Sequence, residues 1–211
     1  TKTRAIEVKR FAELLDRLVL TPSRNGKLTL LVDYFRTSPD PDRGLALAAL
    51  TSELDIPAVK PAMLRTLVTE RLDPVLFGYS YDYVGDLAET ISLVWPDNPQ
   101  VADADPPLRD VVARLQRAGR ADAPKVMSDL LDRLDIPSRF ALIKLATGGL
   151  RIGVSARLAK QALAEIGGRD ANEIEELWHG LKPPFADLFA WLEGRGEKPS
   201  GQALGLFRAG Q

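Results

Sequence analysis

The chain of 211 residues contains no cysteine, which excludes a disulfide scaffold, a thiolate zinc site and a cysteine nucleophile, and fits a reducing compartment. It has one histidine, His179, so no two-histidine metal site can form. The surrounding "LWHGL" lies at the end of a predicted helix and suits capping or packing better than proton transfer. There is no run of eighteen apolar residues, so no membrane-spanning helix is expected. The opening "TKTRAIEVKR" lacks the apolar core of a secretory signal, and residues 1–7 read as an extension ahead of the folded part. No segment alternates apolar and polar residues with β-branched enrichment, which removes the sheet classes. No G-x-x-x-x-G-K-[ST] phosphate loop and no His/Asp/Glu metal cluster occur.

One absence is local. Asp and Glu make up 29 of the 211 residues, yet none falls from Ser138 to Ala164. That stretch holds "LATGGLRIGVSARLAKQAL" and the cations Arg139, Lys144, Arg151, Arg157 and Lys160. Gly148 and Gly149 can end a helix because glycine tolerates the left-handed cap conformation. Gly153 precedes a second helix, whose N-terminus would present unsatisfied N–H groups and a partial positive charge to a phosphate. Ser155 can add a hydrogen bond, and Arg157 and Lys160, three residues apart, share a helix face. The net charge of −1 lacks the basic excess of many nucleic-acid binders, but net charge says little about local fields. The residue pattern alone therefore leaves two readings open, a phosphate-binding corner and a solvated turn between helices.

A second basic stretch, "TPSRNGKLTLL", spans residues 21–31. Ser23 is the expected N-cap, which puts Arg24 and Lys27 in the first helical turn. Cations there oppose the helix macrodipole by a few tenths to about 1 kcal/mol, and Gly26 costs roughly 1 kcal/mol more. Two readings stay open with equal weight: a bound anion held there, or long side chains that swing into solvent.

Helical periodicity dominates the chain. Phe11, Leu14, Leu15 and Leu18 form one apolar stripe, and Leu28, Leu31, Val32 and Phe35 form another. Asp40-Pro41 predicts a cap and first turn of a helix running to about Glu53. Further helices are expected near 59–72, 80–94, 108–118, 123–134, 138–147, 154–166, 170–179 and 184–194, so the class is all-α. Trp95, Trp178, Trp191 and the aromatics of "FGYSYDY" (77–83) are expected to pack inside. "WPDNPQVADADPPL" (95–108), with its prolines and aspartates, reads as an exposed loop between two halves of about 8–95 and 108–194. "LDIP" recurs at 54–57 and 134–137, which suggests pseudo-symmetric halves, although Asp-x-Pro is also a common helix opener. After 194 the helical pattern is lost and glycine increases, as in a linker spanning 195–211.

These blocks carry a resemblance. "LRIG" at 150–153, after "RFALIKLATGG" and before "VSARLAKQAL", resembles the signature of the N-terminal DNA-binding domain of ATP-dependent DNA ligases. The start, "FAELLDRLVLTPSRNGKLTLLVDYF", is similar to that domain's opening helices, and "VGDLAE" to its middle segment. The blocks keep family order across residues 8–194, and in detail they look like the bacterial repair-type enzymes. The resemblance implies an all-α domain of two similar halves that grips nicked duplex DNA across the minor groove, for repair or recombination. It implies DNA contacts from the turn holding Gly148, Gly149, Arg151 and Gly153 and from Arg24 and Lys27, to which the residue pattern itself adds Lys144, Ser155, Arg157 and Lys160 as expected contacts. Many relatives carry lysine where this chain has Gly149, which leaves only a backbone contact there. The parent reaction needs ATP, Mg2+ and a lysine in a K-x-D-G motif. No K-x-D-G occurs in residues 1–211, so the chain is expected to bind DNA as a cytoplasmic, nucleoid-associated monomer without catalysing, with 195–211 leading to an adenylation domain. The alternative from the residues alone is an α-helical protein-interaction module, favoured by the acidic loop around Asp103 and Asp105.

Overall fold

The computed structural model describes residues 7–148, 150 and 152–200. Twelve α-helices account for most of them: α1 (Val8–Leu20), α2 (Arg24–Thr37), α3 (Asp42–Leu50), α4 (Pro61–Thr69), α5 (Pro74–Val84), α6 (Leu87–Val94), α7 (Leu108–Arg117), α8 (Ala123–Arg133), α9 (Ile136–Thr147), α10 (Ala156–Gly167), α11 (Ala171–Leu177) and α12 (Ala186–Leu192). No strand forms among the described residues, and a lone antiparallel bridge pairs Glu7 with Pro107. The fold is all-α, as the periodicity predicts.

Contacts divide the chain into two compact units that are interleaved in sequence. Among the described residues, the first holds 17–53 and 152–200; the second holds 7–16, 54–148 and 150. The proline-rich segment 95–108 therefore lies inside the second unit. It is largely exposed, but Ala104 N–H donates to the Arg133 carbonyl (3.0 Å) and the Pro106 carbonyl accepts from Val8 N–H (3.0 Å). The two "LDIP" stretches also lie in the second unit and are not equivalent. Asp135 caps α9, accepting from Ser138 N–H (3.0 Å), whereas Asp55 precedes a turn and offers its carbonyl to Gln116 (3.1 Å). These arrangements give the pseudo-symmetric halves no support.

In the second unit α6 packs on α9 and α5, and α4 and α7 pack on α8. The predicted helix over 80–94 is two helices. Gly85 takes φ +79 and ends α5, and Asp86 caps α6 by accepting from Glu89 N–H (2.8 Å). Upstream, Asp73 opens α5 by accepting from Val75 N–H (2.8 Å), with Pro74 in the first turn. Of "FGYSYDY", Phe77 is buried as expected, but Tyr79 and Tyr83 are 70% and 93% exposed. All three tryptophans are buried.

In the first unit α10 packs on α2, α11, α12 and α3. The Leu28, Leu31, Val32 and Phe35 stripe of α2 is buried. The helix predicted to start at Asp40-Pro41 begins at Asp42 and ends at Leu50. Asp40 is diverted because its carboxylate holds the Arg43 guanidinium in two bonds (2.8 and 3.0 Å). Arg43 is almost wholly buried, lies 4.1 Å from the Phe189 ring centroid, donates to the Phe35 carbonyl (3.1 Å) and pairs with Glu193 after α12. Burial works against its charge, but Asp40 and Glu193 outweigh it and raise its pKa. Such a buried cation is tolerable only because these partners satisfy it.

Candidate nucleic-acid interface

The two basic stretches, 126 residues apart in sequence, meet in the first unit. Ser23 caps α2 as expected, accepting from Gly26 N–H (2.9 Å). Arg24 and Lys27 then project from the first turn. Lys27 Nζ donates to the Gly153 carbonyl (3.2 Å), and Arg24 Nη2 donates to Gln161 Oε1 on α10 (3.3 Å). Ser155 caps α10, accepting from Leu158 N–H (3.1 Å), so its oxygen is engaged while its proton can still be donated. The inner face of α10 is closed by Leu158, Ala159, Ala162 and Leu163, all buried. The result is two helix N-termini side by side, with Arg24, Lys27 and Arg157 around them.

Gly153 has φ +72, and a Cβ built there would come within 2.6 Å of Lys27 Nζ. Glycine is needed at this position for the left-handed backbone, whereas the lysine seated against it is the end of a flexible side chain that can move aside. Gly26 has a different explanation from an anion. A Cβ there would meet Thr21 Cγ2 at 2.6 Å and Ser23 Oγ at 2.8 Å, so packing against the cap accounts for it. The cations in the first turn have their own partners, Gln161 for Arg24 and the Gly153 carbonyl for Lys27.

Arg157 and Lys160 are treated differently despite their spacing. Arg157 is exposed and has no ion pair among the described residues. Lys160 is 8% exposed, its Nζ lies 2.8 Å from Glu175 Oε1 and 4.8 Å from the Trp178 ring centroid. Both line a pocket of about 500 Å³ between α10 and α11, together with Gln161, Asn172 and Glu175. Arg157 offers its charge outward, whereas that of Lys160 is already neutralised.

Lys144 and Gly148 belong to the second unit. Lys144 Nζ lies 2.7 Å from Asp86 Oδ2, tying α9 to the cap of α6. Burial pushes the Asp86 carboxyl up, but the Lys144 ammonium and the N–H groups of Glu89 and Ala88 prevail and hold it below the usual carboxylate range. Gly148 ends α9 in the left-handed conformation (φ +73), with its N–H on the Lys144 carbonyl (3.1 Å), as the double glycine predicts. Gly149 and Arg151 lie outside the described residues. Sequence reasoning overlooked Gln161: a search keyed to charge passes over a neutral amide, although its place four residues after Arg157 was a usable signal.

The arrangement groups N–H donors and positive charge of the kind that suits phosphate oxygens. No group of His, Asp or Glu able to hold a metal occurs among the described residues. No described helix is long and apolar enough to cross a membrane. A comparison with curated proteins finds no match. The sequence profile of the family described as "DNA ligase N terminus" matches residues 7–164, taking in all of α1 to α9 and most of α10. With that match over most of its length and a wholly helical fold, the chain belongs to the family of N-terminal domains of ATP-dependent DNA ligases.

Proposed function

We propose that this chain grips nicked duplex DNA through phosphate contacts in the minor groove, so that the ligase it belongs to can seal the nick. The observation that carries this reading is the corner where the N-termini of α2 and α10 meet, with Arg24, Lys27 and Arg157 grouped around them. Helix N-termini and guanidinium groups both favour phosphate. Gly153 and Ser155 supply the close backbone approach and a hydroxyl donor, while Lys144 and Lys160 act as internal ties. On this reading the protein is a cytoplasmic, nucleoid-associated monomer of a bacterial repair-type enzyme. On this reading ATP and Mg2+ are assigned elsewhere, since no K-x-D-G lysine occurs in residues 1–211. They would be held by the adenylation domain, and no step of adenylation is assigned to this chain.

Fluorescence anisotropy with a labelled nicked duplex, between about 50 and 200 mM salt, tests the reading. Each neutralised phosphate contributes about −0.9 to the slope of log K against log salt. Arg24→Ala and Arg157→Ala should each flatten the slope by about that amount and weaken binding to all sequences alike. A wild-type chain without salt-dependent affinity would refute the proposal. A second reading, a protein-interaction role, draws on α5, where Val75, Leu76, Tyr79 and Tyr83 are all more than 60% exposed. It would take over if DNA binding failed.

A further inference from the structure

We infer that Gln161 is a positioning residue that holds Arg24 for phosphate, an inference that rests on the α2–α10 corner being the DNA grip. Arginine has only N–H donors, so the Gln161 atom facing Arg24 Nη2 at 3.3 Å is the amide oxygen. Arg24 keeps its remaining donors for a ligand, and the Gln161 amide keeps its two N–H groups. Arg24 is exposed, and a free arginine loses much rotamer freedom on binding; an acceptor that orders it beforehand reduces that loss.

The chemistry of the acceptor matters. Residue 161 lies within the stretch from Ser138 to Ala164 that has no Asp or Glu. A carboxylate there would accept from Arg24 equally well but would cancel its charge and compete with phosphate, as Glu175 neutralises Lys160 in the adjoining pocket. An amide orients the guanidinium and leaves its charge intact. The absence of acid at this position is thus a requirement of the grip.

A double-mutant cycle on the whole chain, read by binding to nicked duplex, tests this. Gln161→Leu should weaken binding about three- to tenfold, the worth of one ordering hydrogen bond. In an Arg24→Ala background it should have no further effect. Gln161→Glu should flatten the salt slope by about 0.9, as Arg24→Ala does, with its melting temperature showing that it folds. Equal loss from Gln161→Leu in both backgrounds, or none in the wild type, would overturn the positioning role. If Arg24→Ala and Arg157→Ala still flatten the slope in that case, the DNA grip itself stands. If the wild-type chain binds no DNA, it is the grip that fails.

Discussion

Gly44 allows a sharp test of how the first unit is packed. It lies in the first turns of α3, fully enclosed, and a Cβ added to it would sit 1.5 Å from the Pro184 carbonyl oxygen and 2.4 Å from its carbon. The obstacle is backbone, so rotating a side chain cannot relieve it. Pro184 and α3 would have to separate by about 2 Å to restore normal contact. The helix cannot easily yield that distance, because Arg43, the preceding residue, is fixed to Asp40, the Phe35 carbonyl and Glu193. Gly44→Ala should therefore destabilise the chain by about 3 kcal/mol or more, at the upper end of overpacking costs. Alanine's helix propensity returns only about 1 kcal/mol. Gly78 in α5 is the control, since nothing stands within 4 Å of its added Cβ. Gly78→Ala should gain about 0.5–1 kcal/mol. Urea titration with unchanged slope reads both effects as shifts of the midpoint in opposite directions. A Gly44→Ala chain that unfolds at or above the wild-type midpoint would refute the packing of α3 against Pro184.

Further outcomes follow from the caps, ion pairs and carboxylates. Ser23→Ala and Ser155→Ala should each cost about 1 kcal/mol in the same titration, because each leaves a helix N–H without its acceptor. Lys160→Met should lower the melting temperature but leave the DNA salt slope unchanged, since Glu175 already neutralises the lysine; a slope flattened as in Arg157→Ala would show that Lys160 meets phosphate. Glu193 is held below its ordinary range chiefly by Arg43, with Arg195 adding to it against burial. Asp135 and Asp86 are held low although burial opposes it, Asp135 by Ser138 and Lys9. Because their folded values are depressed, the stability they lend is complete above the ordinary carboxylate range, about pH 4. It is lost as pH falls through the folded values. Melting temperature against pH should drop on the acid side of about 4, and less so in Asp86→Asn, from which one such carboxylate is gone.

The sequence was most legible where one local rule acted alone. The cap Ser23, the left-handed Gly148 and the α2 stripe follow from periodicity and capping chemistry, and the structure has each of them. It was least legible where a distant partner overrode the local rule. Asp40 has the right neighbour for a cap, but Arg43 claims its carboxylate. Gly26 resembled an anion signal until Thr21 and Ser23 filled the space beside it. Arg157 and Lys160 are indistinguishable by spacing, and only the approach of Glu175 and Trp178 from α11 and the turn after it separates them. Tyr79 and Tyr83 have the composition of a core, yet the face of α5 that carries them is left open. The meeting of Lys27 with Gly153 could not be read from either stretch alone, because the packing of α2 on α10 creates it.

The interleaved units have a consequence for biosynthesis. The second unit has all its residues once Leu150 has been added to the growing chain. The first cannot close at that point, since α2 and α3 must wait for α10, α11 and α12 to be made. During that interval the apolar faces of α2 and α3, including Leu31, Phe35 and Leu47, lack the helices that will cover them. Domains fold as units while the ribosome works at about 5–20 residues per second. The basic corner is therefore assembled last, and a ribosome that stalls once Leu150 has left its exit tunnel would hold a nascent chain with one finished unit and a sticky, unfinished one.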